Sequence, residues 1–143
     1  MTVYVVPCSQ TKSARLQREP LPSRDAYAGQ AFRMARAVLD RRGLPWFILS
    51  AKYGFLHPST PIAYYDVKMA TLPAAFQLLD DRHVHQLAGA ARVVCLGSRL
   101  YATAAETLLG RTVEAPLAGM AIGWMLQALK LEHWANQQTH STV

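Results

Sequence analysis

Apolar positions fall in two patterns along the chain. Residues 2–6 (TVYVV), 45–49 (PWFIL) and 92–96 (RVVCL) are short continuous runs, the pattern of strands covered on both faces. Between them apolar residues recur every three or four positions. Residues 29–42 place Phe32, Ala35, Val38 and Leu39 on one side, with Arg33, Arg36, Arg41 and Arg42 elsewhere and Gly43 as a stop, which predicts a basic amphipathic helix. A second helix is predicted over 71–88, capped by Thr71 with Pro73 in its first turn and carried by Leu72, Phe76, Leu79, Val84 and Leu87. A third opens at Gly97-Ser98 and runs through Leu109, and a fourth spans 117–134 after Pro116. Residues 112–115 read as a short edge strand and 136–143 as a frayed polar tail.

Strands alternating with helices call for a mostly parallel sheet with helices on both faces, a small three-layer α/β sandwich. In such sheets ligands bind beyond the carboxyl ends of the strands. Three polar motifs are expected there: Pro7-Cys8-Ser9, Ser50-Ala51-Lys52-Tyr53-Gly54 and Gly97-Ser98. The intervening segments 8–23 and 50–66 read as long loops, the second rich in Tyr and Pro.

At 143 residues the chain fits one domain, residues 1–143, and its 51% hydrophobic content excludes global disorder. The net charge of +6 suits a polyanion such as DNA. Residues 1–43 hold eight Lys/Arg against three Asp/Glu, so the excess is expected to flank the first motif. Cys8 and Cys95 form no disulfide framework. No signal peptide pattern or run of about 18 apolar residues occurs. A cytoplasmic monomer is the expectation. No cofactor and no metal are expected: there is no Cys-x-x-Cys, and His83 and His85 read as part of a solvated helix face.

The segment Leu49-Ser50-Ala51-Lys52-Tyr53-Gly54-Phe55-Leu56-His57-Pro58, followed by Ile62, Tyr65 and Met69, resembles the signature of the YaaA-like peroxide-stress proteins. Cys95-Leu96-Gly97-Ser98-Arg99-Leu100-Tyr101 and Leu117-Ala118-Gly119-Met120-Ala121 resemble later segments of that family. Val6-Pro7-Cys8-Ser9-x-x-Lys12 is similar to a motif in the accessory domain of archaeosine synthases. The resemblance spans most of residues 3–125 and implies a fold like that of the uracil-DNA glycosylase superfamily, with DNA or a nucleobase as ligand. Two departures stand out. YaaA-like chains are much longer, with helical inserts absent here, and Lys52 and Arg99 stand where those proteins usually differ.

Glycosidic cleavage needs a pocket for an extruded base, contacts to its edge and a group to position water or stabilise the sugar cation. Asp25 and Asp66 are the carboxylates expected on loops at the crevice; turn or cap roles are the alternative. Lys12 is expected to clamp a phosphate, or to attack the sugar as a Schiff-base amine. Cys8, read as a packed thiol, and Ser9, Ser50, Lys52, Gly54, Gly97 and Ser98 are expected around the base or a phosphate oxygen. Of these, Ser98 at a helix start is the best anion site. Tyr27, Tyr53 and Tyr65 are candidates for stacking, His57 for donation to a leaving base, and Arg15, Arg18 and Arg24 for the DNA backbone. The leading expectation is a DNA N-glycosylase acting on a modified base, in repair or in defence against phage with hypermodified DNA. The alternatives are a DNA-binding protein of oxidative stress without catalysis, and an enzyme of free nucleosides or nucleotides.

Overall fold

The computed structural model describes residues 1–67 and 76–136. Its centre is a four-stranded sheet. Strand β1 (Thr2–Pro7) pairs in parallel with β3 (Trp46–Ser50) on one side and β6 (Arg92–Cys95) on the other, and β4 (Gly54–Leu56) adds antiparallel to β3. A two-residue ribbon pairs β2 (Leu21–Pro22) with β5 (Pro61–Ile62). The helices are α1 (Ser23–Ala26), α2 (Gln30–Arg42), α3 (Arg82–Ala88), α4 (Arg99–Leu109), α5 (Ile122–Leu131) and α6 (His133–Asn136), with a 3-10 turn at Ala14–Gln17. None is long and apolar enough to cross a membrane.

The continuous apolar runs are central strands because both pleat faces are covered. Tyr4, Val6, Trp46, Ile48 and Val94 pack with Phe32, Ala35, Val38 and Leu39 of α2 and Leu129 of α5. Val3, Val5, Phe47, Leu49, Val93 and Cys95 pack with Leu87 of α3 and Ala102, Ala105 and Leu109 of α4. The protein is therefore a three-layer α/β domain with a small, mostly parallel sheet. The chain leaves β1 to form β3 on one side and later forms β6 on the other. This makes the carboxyl end of β1 the topological switch point, where α/β sheets open a crevice.

Four expectations need correction. The loop 50–66 contains strands β4 and β5; they are two or three residues long, too short to show a period of two. The helix expected over 71–88 begins only at Arg82 among the described residues, because Asp80 accepts hydrogen bonds from the Arg82 backbone and guanidinium and opens the helix there; Thr71, Leu72 and Pro73 lie outside the described residues, as do Met69 and the tail 137–143. The segment 112–115 forms only a single parallel bridge, Glu114 to Val94. The helix expected over 117–134 is broken. Gly119 turns the chain at φ 84, α5 starts at Ile122, and Glu132 stops it at φ 60 with its carboxylate held by Arg41 and Arg42.

Candidate functional site

A pocket of about 430 Å³ opens at the switch point, within the ~300–1,000 Å³ of small-molecule sites. Its floor is Pro7-Cys8-Ser9 at the end of β1 and Gly97-Ser98 after β6, and Gln30, Phe32, Tyr101, Ile122 and Met125 wall it. The floor is tightly built. A Cβ on Gly97 would lie 2.3 Å from the Pro7 ring, and one on Gly29 would lie 2.6 Å from the Ser9 Cβ. Only glycine lets the first turns of α2 and α4 close on the β1 loop from both sides. Ser9 fastens that loop, accepting a hydrogen bond from the Gly29 amide at 3.1 Å and donating to the Thr11 carbonyl at 2.6 Å.

The first turns of α2, α4 and α5 all border the pocket. Intrahelical bonding starts at Arg33 to the Gly29 carbonyl, Ala102 to Ser98 and Met125 to Ala121, so the preceding amides point out of the helix ends and carry the positive pole of each helix. Ser98 caps α4 with its backbone alone; its hydroxyl makes no capping bond. The remaining lining is chiefly apolar.

Beside the pocket, between the ends of β1 and β3, the same sheet edge is filled. The buried Tyr65 hydroxyl bonds to Ser50 Oγ at 2.8 Å and to the Tyr27 hydroxyl at 2.6 Å. Ser50 also accepts from the Lys52 and Tyr53 amides, turning the chain out of β3. Burial pushes the Tyr27 and Tyr65 phenols far above the usual range, reinforced by the nearby Cys8 thiol, and burial does the same to Tyr101. Cys8, whose Sγ lies 3.9 Å from the Tyr101 hydroxyl, thus joins the pocket to the tyrosine cluster. Beside that cluster lie the ammonium groups of two partly exposed lysines. Lys12 Nζ is 4.6 Å from the Tyr65 ring centre, and Lys52 Nζ is 5.2 Å from that of Tyr53 and 6.0 Å from that of Tyr65.

The expected site residues therefore divide. Cys8, Ser9, Gly97 and Ser98 line the pocket. Tyr27, Ser50 and Tyr65 are buried in the hydroxyl chain, where no base can stack on them. Lys12, Lys52 and Tyr53 stand over that chain, and Gly54 opens β4 outside the pocket. Asp25 and Asp66 are exposed and neither lines the pocket; Asp25 lies 3.9 Å from Arg36. Charge placement also changes. Arg15 pairs with Glu19, Arg24 with Asp40, and Arg41 and Arg42 with Glu132. The last two lie nine and ten residues beyond Phe32 on α2, about 15 Å along the axis from the pocket at ~1.5 Å per residue. Among the arginines expected on DNA only Arg18 has no carboxylate partner among the described residues, whereas Arg33 and Arg99, in the first turns of α2 and α4, also have none. Gln30, Phe32, Tyr101, Ile122 and Met125 were not legible as site residues. For Gln30 the signal was the glycine before a helix, and for Tyr101 its position one turn beyond Ser98. His57 stands apart from the pocket, bonded to Ser59 at 2.7 Å.

Fold and site together define a small α/β domain with a ligand-sized pocket at the carboxyl edge of its parallel strands. The chain belongs to DUF6884, a family of unknown function whose model matches residues 3–131. It is 32% identical over 139 residues to the uncharacterized protein YfjM of Bacillus subtilis strain 168, covering 87% of this chain and 90% of that protein. No solved structure matches it significantly.

Proposed function

We propose that this chain is a DNA N-glycosylase that takes one extruded, modified nucleotide into the pocket at the end of β1. The observation that carries the reading is the pocket itself: a mostly apolar slot at the switch point, bordered by Phe32, Tyr101 and three helix starts. The apolar walls and the partly exposed Tyr101 ring suit a base face, while outward amides and the Ser98 hydroxyl suit its electron-rich edge. Arg33 and Arg99, both exposed, offer charge to phosphates beside the opening. The resemblance to YaaA-like proteins, with the glycosylase-type fold it implies, supports the same ligand class.

In the reaction the C1′–N bond breaks and the electron pair leaves with the base. Water oxygen bonds to C1′, and its proton passes to the base. The helix-start amides and Ser98 stabilise the negative charge developing on the departing base, a preorganised electrostatic contribution. No Asp or Glu lines the pocket among the described residues. Asp25 and Asp66 are accordingly given no part in the bond cleavage, and stabilisation of the departing base by these amides and Ser98, rather than a water-directing carboxylate, carries the rate enhancement. Extrusion costs a few kcal/mol, which pocket and phosphate contacts offset.

The test is release of free base, with alkali-labile sites, from duplexes carrying uracil, alkylated bases, or hydroxymethylcytosine with and without glucose. Base release from one class, reduced on the order of 10²-fold by Ser98→Ala, is the expected result. The carboxylate-free lining favours a second reading, binding of an extruded base without cleavage. Tight binding to one of these duplexes with no base released from any of them establishes the second reading and removes the first.

A further inference from the structure

We propose that Lys12 and Lys52 together form a phosphate clamp, which holds a backbone phosphate of DNA against the tyrosine platform next to the pocket. This rests on the reading of the pocket as a site for a nucleotide within DNA. Lys12 follows the β1 loop and is tied to Tyr27 by a backbone bridge; Lys52 follows β3, its amide fixed on Ser50. Two separate strand ends thus each bring an ammonium group near the Tyr65 ring, at 4.6 Å and 6.0 Å from its centre. Like charges repel, and the ring faces only partly offset this through cation–π attraction. A carboxylate would be the ordinary neutralising partner, yet neither lysine has one among the described residues. Asp66, adjacent to Tyr65 in sequence, is exposed and forms no ion pair with either.

The platform beneath is rigid. Tyr65 is pinned by Ser50 and Tyr27, and the Tyr27 ring packs on Phe32, a wall of the pocket, at 5.3 Å between centres. An anion held by the lysines is therefore set at a fixed distance from whatever fills the pocket. A lysine is a compact point charge, suited to any phosphate oxygen irrespective of sequence.

The test compares wild type with Lys12→Gln/Lys52→Gln, Lys12→Arg/Lys52→Arg and Lys130→Gln. Each protein's affinity for a fluorescent duplex is measured from 50 to 200 mM salt, together with base release. Calorimetry with inorganic phosphate and with thymidine 3′,5′-bisphosphate forms the second arm. The clamp predicts that the double Gln variant loses about 1 from the magnitude of the slope of log Kobs on log salt, as for one phosphate contact. Lys130→Gln, a charge loss on α5, should leave the slope unaltered, and the double Arg variant should preserve it. An unchanged slope in the double Gln variant, with DNA binding and base release intact, overturns the clamp and leaves the glycosylase reading standing. A lysine-dependent slope without base release from any duplex supports the clamp and overturns cleavage. Lysine-dependent binding of the bisphosphate or of phosphate alone, with a lysine-independent duplex slope, overturns the assignment to the DNA backbone. Absence of binding to every probe by the wild type overturns both.

Discussion

One sheet edge carries two opposite solutions. Between β1 and β6 the chain places glycine and serine, at Gly29, Gly97, Ser9 and Ser98, and an open pocket results. Between β1 and β3 it places Tyr27, Tyr65 and Ser50, and the space closes in a chain of buried hydroxyls. Both lie beyond parallel strand ends, where α/β domains bind ligands. Topology therefore makes the place, and side-chain volume decides whether it becomes a pocket or a support. The filled side positions Lys12 and Lys52; the open side presents helix starts.

The largest effect that sharpens this contrast is expected at high pH. Burial pushes the Cys95 thiol from its ordinary 9.0 up to about 12, and Tyr27, Tyr65 and Tyr101 are raised in the same direction. The folded state holds these protons more tightly than the unfolded chain, so their stabilisation is complete below pH 9 and is lost as pH rises through the folded values. Denaturation midpoints should hold steady to about pH 9 and fall towards pH 12. A midpoint flat from pH 8 to 11 would show that these thiol and phenol groups are wet.

Next in size is Gly97→Val, which drives new atoms into Pro7. Overpacking of this kind costs about 1–3 kcal/mol, and more where backbone must shift; urea unfolding measures it. A change under about 0.5 kcal/mol would mean the pocket floor is not closely packed. Tyr65→Phe removes one hydroxyl from the closed side and leaves Ser50 and Tyr27 short of a partner, at about 1–3 kcal/mol. It should leave base affinity in the pocket unaltered, because Tyr65 does not line it. A loss of stability matched by an equal loss of pocket affinity would merge the two regions into one site.

Ser98→Ala is the smallest perturbation of the fold. Its hydroxyl makes no capping bond, so stability should change by less than about 0.5 kcal/mol, even as base release falls. A destabilisation above about 1 kcal/mol would place Ser98 with the structural residues of the closed side.

Much of this contrast was legible in the residues. The runs 2–6, 45–49 and 92–96 announced buried parallel strands, and the helices after Gly29 and Ser98 matched observation within a residue or two. Pro7-Cys8-Ser9 and Gly97-Ser98 were legible as one edge because strand ends in such a sheet point the same way. The carboxylates failed because a loop position specifies neither direction nor distance: Asp25 and Asp66 belong to the right loops yet stay outside the pocket. Tyrosine spacing likewise marked Tyr27 and Tyr65 as important without distinguishing a stacking surface from a buried support. The basic front segment misled for a similar reason. Arg24, Arg41 and Arg42 meet Asp40 and Glu132, and the Glu132 pairs join residues about ninety positions apart.

The sequence by itself determined the three parallel strands, the helices α2 and α4 and the convergence of polar motifs on one sheet edge, since hydrophobic period and glycine or serine at helix starts act locally. Only the tertiary structure decided which motif opens a pocket, which tyrosines fill space, and which charges remain unpaired. Those depend on volumes and ion pairs between segments distant in the chain, and no local pattern encodes a distance between two loops.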